Sequence, residues 1–241
     1  MGKRVFLGVG HGGSDPGAVG LLTEKEVNLT VALEVRRILE RSGVTVGISR
    51  EGDGESGLAE KIRKANDFRP DLAVEIHSNS GGGDGFEAYV QTNAYGGKSR
   101  VAAEIIEKRV KAAGQNSRGI KTRKNSAGTA DYFGWLREVK APAVLLEGFF
   151  VDGPEAVRYW SPAAQRALGA AYARGILDYL EVKEVKDMLV YQTLAEVPQW
   201  GKEAVSVLME KGALRGGGDG KLELSEDLLR MIVILHRLGL Y

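Results

Sequence analysis

Three apolar runs in this 241-residue chain each end in a side chain able to hold a metal or move a proton. Val5-Phe6-Leu7-Gly8-Val9-Gly10 leads into His11, Leu72-Ala73-Val74-Glu75-Ile76 into His77, and Ala143-Val144-Leu145-Leu146 into Glu147. Short apolar runs of this kind read as buried strands, and open α/β sheets bind ligands beyond the carboxyl ends of their strands. Two histidines and a carboxylate around one open position form a common catalytic zinc arrangement. The third histidine, His236, stands beside Leu235 and Leu238 on a late helical stretch and is assigned no metal role. Cysteine is absent, so disulfides, thiolate ligands and a cysteine nucleophile are excluded.

A second carboxylate competes for the site. Glu24 and Glu26 open a helical pattern, and Glu24 lies seven positions before Val31, about two turns away and so on the same face. Val31 belongs to the core side, which turns Glu24 inward and Glu26 outward. An inward carboxylate needs a partner such as a metal. The segment Gly8-Val9-Gly10-His11-Gly12-Gly13 spells a dinucleotide fingerprint, yet Asp15-Pro16-Gly17 intervenes before any helix, so no helix N-terminus faces a pyrophosphate. Asp219-Gly220 lacks the alternating acids of a calcium loop and reads as part of a turn over residues 216–220.

The elements that must position these residues alternate. Strands are expected at residues 4–9, 44–49, 72–77, 86–91 and 143–147. Helices are expected at 24–41, 57–66, 98–113 (with Val101, Ile105 and Val110 inward) and 162–180. The alternation predicts an α/β domain over residues 1–181, a twisted, mostly parallel sheet with helices on both faces. A connector over 182–195 leads to a small α-helical domain, 196–241. Its first helix opens at Pro198-Gln199-Trp200. Its second is capped by Ser225-Glu226-Asp227 and turns Leu228, Leu229, Ile232 and Leu235 to the core. So thin a core favours docking or self-association as a homodimer. A net charge of +1 argues against nucleic acid, and no apolar run is long enough to span a membrane.

The segments GHGGSDPGAVG, Glu24-Lys25-Glu26-Val27-Asn28-Leu29, Ile76-His77-Ser78-Asn79, Arg118-Gly119-Ile120-Lys121 and Pro142-Ala143-Val144-Leu145-Leu146-Glu147-Gly148-Phe149 follow one another over residues 4–180. Together they resemble the zinc-dependent N-acetylmuramoyl-L-alanine amidases of the amidase-3 type. The resemblance implies one Zn²⁺ per chain held by His11, Glu24 and His77, with Glu147 as the catalytic carboxylate. It also implies cleavage of the amide between N-acetylmuramic acid and L-alanine in peptidoglycan, with Asn79, Arg118 and Lys121 as candidates for substrate binding. Two positions depart from the family's pattern. Glu75 replaces a usually small residue and, by strand alternation, shares a face with His77; it either orients that imidazole or pairs with a buried Arg or Lys. Phe149-Phe150-Val151-Asp152-Gly153 replaces the more usual Ser-Asn ending.

Residues 200–230, with Trp200, Lys211-Gly212-Ala213-Leu214 and Arg230, resemble a single S-layer homology motif, which implies attachment to a secondary cell-wall polymer; the other reading is an oligomerisation element. Strand-like sequence from Arg4 leaves no room for a signal peptide. The expectation is therefore a phage endolysin made in the cytoplasm and released through a holin, with a bacterial autolysin as the alternative. A zinc peptidase on a related fold would use Arg118, Lys121 or Arg123 to hold a peptide terminus.

Overall fold

The computed structural model of the chain describes residues 2–55, 57–185, 190–216 and 220–241. In chain order the larger unit, Met1–Val185, contains β1 (Arg4–Val9), α1 (Glu24–Arg41), β2 (Thr45–Ile48), α2 (Leu58–Phe68), β3 (Leu72–Asn79), β4 (Phe86–Val90), α3 (Gly96–Ala112), β5 (Ser117–Lys121), α4 (Gly134–Glu138), β6 (Ala143–Phe150), a 3₁₀ turn (Pro154–Tyr159) and α5 (Pro162–Leu180). The sheet order is β2-β1-β3-β6-β4-β5; β4 runs antiparallel to β6, and the other pairings among the described residues are parallel.

Alternation along the strands divides the core. Val5, Leu7, Val9, Val74, Ile76, Val144, Leu146, Phe86 and Ala88 pack on one face against α1, α3 and α5. Phe6, Ala73, Ala143 and Leu145 pack on the other against Ile62 and Ala65 of α2 and Trp135 and Leu136 of α4. The expected α/β sheet with helices on both faces is therefore present. The chain passes from β2 on one side of β1 to β3 on the other, a topological switch point where ligands of open sheets collect.

Several local expectations change. β5 escapes a hydrophobic-pattern reading because Ser-Arg-Gly-Ile-Lys is a polar edge strand; it pairs parallel to β4. Val101 is exposed rather than inward: α3 packs through Ala102, Ala103, Ile106 and Val110. At Gly175 of α5 a Cβ would lie 2.6 Å from Ile106 Cα, so only glycine lets α5 approach α3 this closely. The larger unit runs on through Val185, whose amide donates to Ser42 Oγ.

The second unit, Lys186–Tyr241, has β7 (Val190–Tyr191) paired antiparallel to β8 (Leu224–Ser225), with α6 (Gln199–Glu210) and α7 (Glu226–Arg237). Its core is Val197, Ala204, Val205, Leu224, Leu229, Ile232 and Val233. Leu228 is exposed and Leu235 only partly buried, against expectation, because the inward face of α7 is centred on Leu229, Ile232 and Val233. Ser225 caps α7 by accepting from Leu228 N at 3.2 Å. The turn expected over 216–220 falls largely on residues 217–219, and part of the connector on 186–189, outside the described residues. No described helix is long and apolar enough to cross a membrane.

Candidate metal centre

β1 ends at Val9, and the chain turns through His11 with φ 59°, in the left-handed region. That conformation costs a non-glycine residue about 1–2 kcal/mol. Arg50 holds it: the buried guanidinium donates to His11 O at 2.8 Å, Gly10 O at 3.1 Å, Lys25 O at 2.7 Å and Gly52 O at 3.0 Å. Gly10 N donates to Ile76 O at 2.9 Å, which zips this turn to β3. Gly10 has no side chain to occupy the space beside it, and the His77 ring lies there; a Cβ would sit 2.5 Å from His77 Cε1.

Glu24 stands between the two histidines. It is 4% exposed, while Glu26 is exposed, as the helical arithmetic expects. Its Oε1 lies 2.9 Å from His77 Nδ1 and accepts from Ser78 N at 3.1 Å. Its Oε2 lies 3.1 Å from His11 Nε2 and accepts from Ala18 N at 2.9 Å. The two rings meet edge to face at 4.9 Å, and one ligand atom from each of the three residues lies within 4.8 Å of the others. Burial alone raises the carboxyl pKa of Glu24, but the two imidazoles outweigh it and hold the group well below the usual carboxylate range. His77, which burial alone lowers, is pushed up to about 10 by Glu24 and Glu75; the hydrogen bond with Glu24 raises His11 as well. Two imidazoles drawn onto one buried carboxylate form a concentrated site for positive charge. Two nitrogens and one carboxylate oxygen, without sulfur, are a donor set that fits zinc.

Neighbouring strands extend the site. Register pairs His77 with Glu147, and Glu147 with Glu87, in one row across β3, β6 and β4. Burial pushes Glu147 up to about 7, with the nearby carboxylates adding to it. Its Oε2 is buried and has no hydrogen-bond partner among the described residues. A cavity of about 280 Å³ opens beside His77 and Glu147, walled by Leu58, Phe133, Trp135 and Leu145, with Glu75 also in its lining. Glu75 is paired with Lys61 at 2.6 Å and stands 3.7 Å from His77 Nε2.

The three candidate substrate residues meet at a residue that sequence reasoning missed. Asn79 Nδ2 donates to Glu87 Oε1 at 2.5 Å, Arg118 Nε donates to Glu87 Oε2 at 3.1 Å, and Lys121 Nζ donates to the same Oε2. Glu87 is buried, and the signal was available: a lone carboxylate in an apolar run, like Glu75 and Glu147. Arg123, the other cation a peptidase would use, stacks over Tyr132 at 3.8 Å. Asp15 was also missed; its Oδ2 lies 2.7 Å from His11 Nδ1, the nitrogen turned away from Glu24. His236 lies in the second unit, 3.9 Å from Glu203.

The family described as N-acetylmuramoyl-L-alanine amidase matches residues 5–178. A sporulation-specific N-acetylmuramoyl-L-alanine amidase of Bacillus subtilis (strain 168) is 33% identical over 193 residues, covering 78% of this chain and 72% of that protein. An endolysin of Bacillus phage SPP1 is 35% identical over 193 residues, covering 76% of this chain and 68% of the endolysin. Among solved structures, the catalytic domain of CwlV, an N-acetylmuramoyl-L-alanine amidase from Bacillus (Paenibacillus) polymyxa var. colistinus, superposes with a TM-score of 0.66 at 32% identity, over 75% of this chain and 99% of that one.

Proposed function

We propose that this chain, which belongs to the N-acetylmuramoyl-L-alanine amidase family, is a zinc-dependent hydrolase of the amide that joins the lactyl group of N-acetylmuramic acid to L-alanine in peptidoglycan. The observation that carries the reading is the convergence of His11, Glu24 and His77, with Glu147 next to His77 in the same sheet row. The three would hold the metal. Zinc, when bound, acidifies water to a pKa of about 7 and polarises a carbonyl as a Lewis acid.

The chain's own residues supply positioning and proton transfer. Glu147 takes a proton from the attacking water onto a carboxylate oxygen and returns it to the leaving amine nitrogen. Its unpartnered Oε2 and its pKa of about 7 suit a group that must both accept and give a proton near neutral pH. Leu58, Phe133, Trp135 and Leu145 form the apolar wall of the cavity in which that exchange takes place. Asn79, Arg118 and Lys121, gathered by Glu87, form a polar margin for the glycan or stem peptide.

The second unit is read as a wall-attachment module. Trp200, Arg230, Val233, Ile234 and Arg237 line a groove of about 400 Å³, and the Arg230 guanidinium lies 5.9 Å from the Trp200 ring centre. An aromatic ring with two arginines suits a sugar polymer that carries acid groups, the chemistry expected of a secondary cell-wall polymer. The likeness to a phage endolysin supports a lytic role for the whole chain.

The test is metal removal. A chelator should abolish turnover of purified peptidoglycan, and zinc at one ion per chain should restore it. Full turnover by metal-free protein would sink the zinc reading.

A further inference from the structure

Behind the metal centre lies an ion pair for which folding stability gives no reason. Lys61 of α2 and Glu75 of β3 have side chains 5% and 3% exposed, and Lys61 Nζ donates to Glu75 Oε1 at 2.6 Å and to Val9 O at 3.4 Å. A buried ion pair of this kind is generally no more stabilising than two apolar side chains of similar volume, because desolvation offsets the attraction. The stems are also confined. A Cβ on Gly8 would stand 3.2 Å from Trp135 Cη2, 3.3 Å from Glu75 Cγ and 3.3 Å from Lys61 Cδ, so the pair sits in a close-packed floor. This floor faces one atom of the site: Glu75 Oε1 is 3.7 Å from His77 Nε2, while His77 Nδ1 is 2.9 Å from Glu24 Oε1. The imidazole is thus held along its N–N axis between two carboxylates. At 3.7 Å the contact with Glu75 is electrostatic rather than a hydrogen bond.

We infer that Glu75, fixed in place by Lys61, is a positioning residue that keeps the His77 proton on Nε2 and so presents Nδ1 to the metal. Glu75 does for His77 what Asp15 does for His11, whose Nδ1 it contacts at 2.7 Å, leaving Nε2 toward Glu24. A carboxylate behind a ligating imidazole fixes its tautomer and raises its basicity. The inference rests on the metal reading of His11, Glu24 and His77.

The test uses the full chain carrying Lys61→Met and Glu75→Leu together, which replaces the pair with apolar groups of similar size and leaves no buried charge alone. Zinc affinity is measured by competition with a chromophoric chelator, and the His77 ring by two-bond ¹H–¹⁵N correlation in the zinc-loaded wild type. With zinc removed from both, the double variant should melt like the wild type, yet it should bind zinc about 10–100-fold more weakly. Wild-type His77 should show a proton on Nε2. Glu75→Gln, which keeps the shape and removes the charge, should weaken zinc in the same direction. A double variant with unchanged zinc affinity, or a wild-type His77 protonated on Nδ1, would overturn the inference while leaving the metal centre standing. A wild type that binds no zinc would overturn the metal reading and this inference with it.

Discussion

Gly10→Ala tests whether the His77 ring must lie where it does. The added Cβ would stand 2.5 Å from Cε1, 2.6 Å from Nδ1 and 2.7 Å from Nε2 of His77. Ordinary carbon contacts lie at about 3.5–4.0 Å, so the ring must retreat by about 1 Å. It has little room, since Glu24 Oε1 lies 2.9 Å from Nδ1 and Glu75 Oε1 lies 3.7 Å from Nε2. Gly10 is not among the residues with positive φ, so alanine's backbone is unstrained there and the clash is the whole perturbation. Overpacking of this kind costs about 1–3 kcal/mol, a fall in Tm of about 2–12 °C for a domain of this size. The functional loss should be larger in proportion, because a displacement of about 1 Å at a reacting centre costs on the order of 10²-fold in rate. Circular-dichroism melts, zinc competition and release of soluble muropeptides measure the three quantities. A folded alanine variant with wild-type zinc affinity and turnover would show that the position of His77 is not what the chemistry depends on.

Glu147→Gln should keep zinc and fold and lose about 10²–10⁴-fold in turnover; loss of the metal instead, read by elemental analysis, would make Glu147 a ligand. Asp15→Asn should weaken zinc binding about 10–100-fold by freeing the orientation of His11, measured by chelator competition. Chelated protein should lose thermal stability as pH rises. The His77 contribution, with its pKa raised from 6.5 to about 10, is complete below 6.5 and is lost as pH climbs toward 10; that of Glu147, raised from 4.5 to about 7, is complete below 4.5 and is lost through 7. Rising Tm of the chelated chain between pH 6.5 and 9 would contradict the His77 assignment, and rising Tm between pH 4.5 and 7 that of Glu147. Removal of residues 186–241 should spare turnover of soluble peptidoglycan fragments and reduce lysis of intact cells, because tethering raises local concentration without new catalytic contacts; equal lysis by both forms would remove the wall-attachment reading.

The sheet and the central residues were legible because their signals are strong and local. A His or Glu closing a buried apolar run lies near the carboxyl end of a strand, although β3 and β6 run on past His77 and Glu147 to Asn79 and Phe150, and the seven-residue step from Glu24 to Val31 separates Glu24 from Glu26 without any structure. Partners joined across the sheet were less legible. Glu75 showed its face but not its neighbour, because Lys61 lies on a helix 14 positions earlier and nothing local links them. The partners of Glu87 were hidden for a similar reason: Arg118 and Lys121 meet it through β5, a polar edge strand with no alternation to announce it. Val101 and Leu228 were misplaced because helix periodicity gives an apolar stripe but not its centre. The buried stripe runs through Ala102, Ala103 and Ile106 in the first case and through Leu229, Ile232 and Val233 in the second.

The bond that is cut distinguishes an amidase from a glycosidase or a peptidase acting on the same polymer. The most direct measurement is to digest purified, defined peptidoglycan with the full chain and identify the new end groups by mass spectrometry and amino-terminal labelling. New free amino groups are expected on L-alanine, with N-acetylmuramic acid released from its stem peptide and carrying a free lactyl carboxyl. New reducing sugar ends, or new amino groups on any other stem residue, would contradict the amidase reading.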